Sequence, residues 1–171
     1  PEKVNFVPAK TPFLDEAVID EDDESRPGML SASASKILMK VLYCARMARF
    51  DLLRAICGLA SEVSRWTVAC DKKLFRCMCY IKSSQFHTMK GYILKTAKTA
   101  DASLRLFADA DFAGCKRTAH STSGAFACLF GPGIFVPQSG KSQKQGCVSH
   151  STPEVELVSA DTALRCIGLP F

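Results

Sequence analysis

Leu104-Arg105-Leu106-Phe107-Ala108-Asp109-Ala110-Asp111-Phe112-Ala113-Gly114 is the stretch whose reading decides the fold. Residues 104–110 read as a β-strand that ends in acids, and turn-forming residues fill 114–124. Residues 125–130 predict a second strand, Gly131-Pro132-Gly133 a tight turn, and residues 134–138 a third strand. Connections this short make the three strands an antiparallel meander. A further short strand is expected near 147–149, and a helix from 153 to about 167. That helix has the clearest start in the chain. Ser151 as N-cap with Glu154 three residues on forms a capping box; Thr152 as cap with Pro153 at the first helical position fits equally well.

Upstream of the meander the patterns change. Residues 87–95 read as a strand, with Met89, Tyr92 and Leu94 apolar. Before them, helices are predicted from about Lys36 (capped by Ser33 or Ser35), over 52–63, and over 67–83. Their expected apolar stripes are Ile37, Val41, Cys44 and Ala48; then Leu52, Ala55, Ile56, Leu59 and Val63; then Leu74, Met78 and Ile81. Asp71 sits near the start of the third helix, where the helix dipole favours an acid. Three segments follow: an acidic, Pro-containing linker at 1–33, a basic helical segment at 34–98, and a sheet-plus-helix domain at 99–171. The fold class is α/β of the α+β kind.

Charge is distributed unevenly along these segments. The chain's net charge of +5 combines −5 over residues 1–33, +10 over 34–98 and zero over 99–171. A middle segment of that charge suits contact with phosphates, and equally suits a solvated helix face. No run of apolar residues is long enough to cross a membrane, and the N-terminus lacks the apolar core of a secretory signal. The nine cysteines are odd in number and irregularly spaced, with one C-x-C at Cys77 and Cys79 and no C-x-x-C. This argues against a zinc module or a disulfide scaffold and for thiols buried in a reducing compartment. The localisation expected is cytoplasmic, with nuclear entry open.

Asp109 and Asp111 at a strand end, with Glu156 early in a later helix, could form a hard-oxygen site. Such ligands suit Mg²⁺, and two such ions hold both the attacking and the leaving oxygen of a phosphodiester. Taken locally, each acid has a plainer role. Asp111 shares a face with Asp109 if the strand continues, and otherwise caps the turn; Glu154 is a capping acid before it is a ligand. Lys141 and Lys144 are candidates for backbone-phosphate contacts or for exposed surface. The stretch from Ser139 to Lys144 lacks the glycine spacing of a phosphate loop.

Four motifs in order resemble one family. Residues 106–114 look like "(Y/F)-S-D-A-D-W-A-G", with Phe112 for Trp. Ser121-Thr122-Ser123-Gly124 looks like "S-T-S-G". Residues 142–148 look like "S-K-K-Q-x-x-V", and Ser151-Thr152-Pro153-Glu154-Val155-Glu156 like "S-T-x-E-A-E". They resemble the ribonuclease H domain of copia-type retrotransposon Pol polyproteins. Residues 38–53 and 76–83 are similar to the segment that joins reverse transcriptase to that domain, with Phe50 for the family's Pro.

The resemblance implies a ribonuclease H-like meander and helix, preceded by a small helical segment. It implies degradation of RNA in RNA–DNA hybrids during reverse transcription, with two Mg²⁺ ions in the complete family site. Asp109 takes the place of the first metal-binding aspartate and Glu156 that of the helix glutamate. Asp111 stands nearby, and Arg117, Lys141 and Lys144 would meet nucleic acid. The family's third and fourth acids have no counterpart in this chain, so a truncated domain, inactive by itself, is expected. The partners implied are an RNA–DNA hybrid or other nucleic acid and the rest of a Pol polyprotein. A non-catalytic nucleic-acid-binding remnant and a degenerate reading frame are the alternatives.

Overall fold

A computed structural model describes residues 5–15, 18–114 and 118–170. The chain is mixed α and β and divides into two compact units, residues 1–45 with 55–88, and residues 46–54 with 89–171. Among the described residues no helix is long and apolar enough to cross a membrane.

The first unit is helical. It holds α1 (Glu21–Ser25), most of α2 (Ser31–Met47), the larger part of α3 (Leu53–Ala60) and α4 (Val68–Ser83). The first turn of α4 carries Asp71, and this carboxylate organises the residues around it. Its oxygens accept from the Met29 amide at 2.6 Å, the Leu30 amide at 3.3 Å and the Trp66 indole N–H at 2.6 Å. Helix α2 therefore starts at Ser31, ahead of the Lys36 expected from the serines. Its leading amides are satisfied by an acid some forty residues away, which no local pattern reveals. Gly28 lies so close to the Thr67 carbonyl that a Cβ there would stand 2.5 Å from it, so only glycine fits. Pro27 and Thr67 form an antiparallel bridge beside this contact.

The buried stripe of α2 is Ala34, Leu38 and Ala45. This lies one residue round the helix from the expected Ile37, Val41, Cys44 and Ala48; Cys44 and Ala48 are exposed. In α4 the inner face is Cys70, Leu74 and Cys77 rather than Leu74, Met78 and Ile81. Thiols here serve as small apolar fillers. None of the eight described cysteines is in a disulfide.

The expected helix over 52–63 is shorter than its pattern. A 3₁₀ turn (Phe50–Leu52) leads into α3, and a second 3₁₀ turn (Val63–Arg65) follows a break at Ser61. The Ser61 hydroxyl donates to the Gly58 carbonyl at 2.7 Å, a local bond of the kind that ends helices. Ala55, Ile56 and Leu59 are buried as expected.

The second unit is an antiparallel sheet with a helix on one face. Strands β1 (Tyr92–Ile93), β2 (Ser103–Asp111), β3 (Thr122–Gly131) and β4 (Ile134–Lys144) lie in the order β1-β4-β3-β2. The expected meander is therefore present, with a fourth, two-residue strand on the β4 side. The strand predicted over 87–95 pairs only at Tyr92 with Phe135 and Ile93 with Ile134. Two residues past Phe135, Pro137 has no N–H to offer the ladder, so pairing stops there.

Strand β4 runs on to Lys144, beyond the expected 138. It absorbs Pro137 with a bulge, since Ala127 faces Ser139 while Cys128 faces Pro137. Residues 147–149, expected as a strand, are irregular. Helix α5 (Thr152–Ala163) begins as predicted: Ser151 is the N-cap and its hydroxyl accepts from the Glu154 amide. The Glu154 carboxylate accepts in turn from the His150 amide at 2.8 Å. One π-helical turn (Leu164–Gly168) ends the helix.

Alternation along the strands sorts the sheet into two faces. Helix α5 covers the face bearing Leu106 and Ser123. Buried Gln145 ties this layer together, donating to the Ser123 hydroxyl at 3.0 Å and to the Val155 carbonyl at 3.1 Å. Val155, Ser159 and Ala163 form the inner stripe of α5, all fully buried. The opposite face carries Phe107 and Phe126, stacked with centroids 6.2 Å apart, and Phe50 edge-on to Phe126 at 6.0 Å.

Candidate functional site

The loop after β2 is shaped around Asp111. Its carboxylate accepts from the Thr122 amide at the start of β3 and from the Arg54 guanidinium at 2.6 Å. Gly114 folds back over it so closely that a Cβ would stand 2.2 Å from a carboxylate oxygen. Ala113, in the left-handed region at φ 51°, turns the chain, and its amide donates to the Ser121 hydroxyl at 3.0 Å. The run of residues 109–114 thus has a structural reason for its last acid and its glycine, with Asp111 held as an internal anchor.

Asp109 stands two residues earlier on the same face. Its side chain is exposed and has no hydrogen-bond or ion-pair partner among the described residues. Only its backbone carbonyl is engaged, accepting from the buried Ser159 hydroxyl of α5 at 2.6 Å. Glu156, half-buried in the first half of α5, is likewise without a side-chain partner among the described residues. Helix α5 packs on the other face of the sheet, so Asp109 and Glu156 stand on opposite sides of it. Among the described residues no three His, Cys, Asp or Glu side chains are grouped so as to hold a metal. The donor set therefore does not fit the two-ion site that the resemblance implies. Asp109 offers one carboxylate, Asp111 is committed to Arg54 and Thr122, and Glu156 is behind the sheet.

Asp109 and Asp111 line one end of a cleft of about 430 Å³ on the aromatic face, with Phe50, Arg54, Phe107 and Phe126. The Ser142 hydroxyl, buried at its edge, has no hydrogen-bond partner. Lys141 and Lys144 both lie on β4, opposite Ala125 and Thr122 of β3, and both are half-buried. Lys144 is at the Asp111 end of the sheet. Arg117 falls outside the described residues. Arg54 was not among the residues expected here. It precedes Asp111 by 57 positions, and nothing in its local sequence marks it as a partner.

The chain is similar to an uncharacterized mitochondrial protein of Arabidopsis thaliana, 32% identical over 110 residues. The match takes in 64% of this chain and 42% of that protein, so this chain spans less than half the length of its relative. No protein-family model and no solved structure matches.

Proposed function

We propose that this chain derives from a retrotransposon polyprotein and represents its ribonuclease H-like region in a form that engages nucleic acid without cleaving it. Four ordered motifs, the antiparallel meander they fall on, and the capped helix that follows support the origin. One observation supports the loss of chemistry: Asp109 and Glu156 lie on opposite faces of the sheet while Asp111 is neutralised by Arg54. Hydrolysis through two Mg²⁺ ions needs several carboxylates converging on one point. In this reading Mg²⁺ meets at most the single Asp109 carboxylate, and the +10 charge of residues 34–98 supplies contact with an RNA–DNA hybrid. The remainder of a Pol polyprotein is the natural covalent partner, and the cytoplasm, with access to the nucleus, the natural compartment.

The test is cleavage of an end-labelled RNA–DNA hybrid by the purified chain with Mg²⁺, with EDTA, and with the Asp109→Asn variant. The expected result is no Mg²⁺-dependent product, together with hybrid binding that weakens steeply with added salt. Product that appears with Mg²⁺ and vanishes in Asp109→Asn would restore the enzyme reading. Hybrid binding that is absent at low salt, or indifferent to salt, removes the nucleic-acid reading.

A further inference from the structure

We infer that the outer edge of β2 is a self-complementary interface that pairs with the same strand of a second copy of this chain. Strand β2 ends the sheet, is nine residues long, and pairs with β3 without a register shift. Free edges in natural proteins are usually blunted by lysine, proline, a bulge or shortness. From Ser103 to Asp111 there is no lysine, proline or glycine. The opposite edge of the sheet, by contrast, is the two-residue β1.

The side chains on one face of this edge select both the direction and the register of pairing. Arg105, Phe107 and Asp109 are all exposed on the aromatic face, with Phe107 at 52%. A parallel arrangement in register sets Arg105 against Arg105. An antiparallel pairing about a twofold axis at Phe107 sets Arg105 against Asp109 of the other copy, and does so twice. It also sets Ser103 against Asp111 and one Phe107 ring against the other. Axes through Arg105 or Asp109 bring like charges face to face. Axes through Leu106 or Ala108 leave Phe107 opposite Arg105 or Asp109 respectively. Directly opposed unlike charges and aromatic pairs favour a register, and like charges oppose it. A twofold contact of this kind closes on itself, giving a dimer with one continuous eight-stranded sheet rather than a filament.

Arg105 is already aligned for this role. Its guanidinium lies 3.8 Å from the Phe130 ring centroid, which holds it on the same face as Asp109. Asp109, free of side-chain partners among the described residues, is the acid available to meet it.

Sedimentation velocity of the full chain over a wide concentration range is the test. Wild type is expected to pass from monomer to dimer as concentration rises. Arg105→Asp and Asp109→Arg, each turning two attractive pairs into two repulsive ones, are expected to raise the dimer dissociation constant at least about tenfold. The double variant R105D/D109R restores both pairs with their signs exchanged, and is expected within about threefold of wild type. Circular dichroism identifies any variant that fails to fold. A measurement that leaves the charges alone is F107C under mild oxidation. The twofold axis places the two introduced thiols face to face, so peptide mapping is expected to find position 107 cross-linked to itself. A wild type that stays monomeric at every concentration overturns the inference. So does a folded double variant that stays monomeric, a single reversal without effect, or a 107 thiol that does not cross-link to its own copy.

Discussion

The two compact units use their carboxylates in opposite ways. In the helical unit, Asp71 accepts three hydrogen bonds and Asp23, on α1, is ringed by Lys72, Arg26 and the Asp20 amide. In the sheet unit, Asp109 and Glu156 have no side-chain partner among the described residues, and Asp111 lies between these extremes with Arg54 and one amide. A carboxylate with several donors is a fixed part of the fold, because removing it strands every one of them. One with no donors adds little to stability, and its use is set by whatever meets it from outside. Acids of the second kind are where contact with nucleic acid or with another copy of the chain is to be sought.

Removing the best-satisfied acid tests that division most severely. Asp71→Ala leaves two backbone amides and a buried indole N–H without their acceptor, and is expected to cost about 3 kcal/mol in urea unfolding. A cost below about 1 kcal/mol would mean that water replaces the carboxylate and that the contrast is only geometric. Asp111→Ala is expected to cost about 1.5 kcal/mol, mostly through the Thr122 amide, since the half-exposed Arg54 pair is screened. Arg54→Ala, which leaves that amide satisfied, should accordingly cost less than Asp111→Ala in the same assay.

Asp23 gives a smaller effect with a pH signature. The Lys72 ammonium hydrogen-bonded to it, and then the Asp20 amide, hold its carboxyl below the usual carboxylate range. A depressed folded value means that the stability it contributes is complete above the ordinary value of about 4 and disappears as pH falls through the depressed one. The difference in urea midpoint between wild type and Asp23→Asn should therefore be steady near neutral pH and close below about pH 4. A difference that persists into strong acid would show that the carboxylate charge is not its source. At the far end of the scale, Asp109→Asn and Glu156→Gln are each expected to stay within about 0.5 kcal/mol of wild type. A loss above about 1 kcal/mol in either would move that residue into the structural class.

Much of the fold was legible where its causes are local. Glu154 three residues after Ser151 announces α5, and the Gly131-Pro132-Gly133 turn announces the hairpin of β3 and β4. The buried Ala55, Ile56 and Leu59 follow their spacing. Elements set from a distance were not legible. Helix α2 begins where Asp71 reaches it, and β1 is curtailed by Pro137 on another strand. The inner face of α2 is chosen by what packs on it, so small Ala34 and Ala45 are buried in place of Cys44. The candidate site shows the same limit. Sequence identified Asp109, Asp111 and Glu156 as acids worth following, and alternation correctly put the two aspartates on one face. Which face α5 covers, and that Arg54 would occupy Asp111, depend on tertiary packing that neither periodicity nor motif order encodes.

The connections within the molecule also set an order of assembly. Strands β3 and β4 are joined by Pro132 and Gly133 alone, and Gly133 takes the positive φ of 73° that so tight a reversal needs. The bridge between Pro27 and Thr67 closes a loop of about forty residues, and its larger entropy must be overcome before Asp71 can gather its three donors. On refolding, amides of the β3–β4 hairpin should therefore become protected from exchange ahead of those around Asp71. A chain caught early would then have a paired sheet and an unanchored α2, with the amides of Met29 and Leu30 still open to solvent.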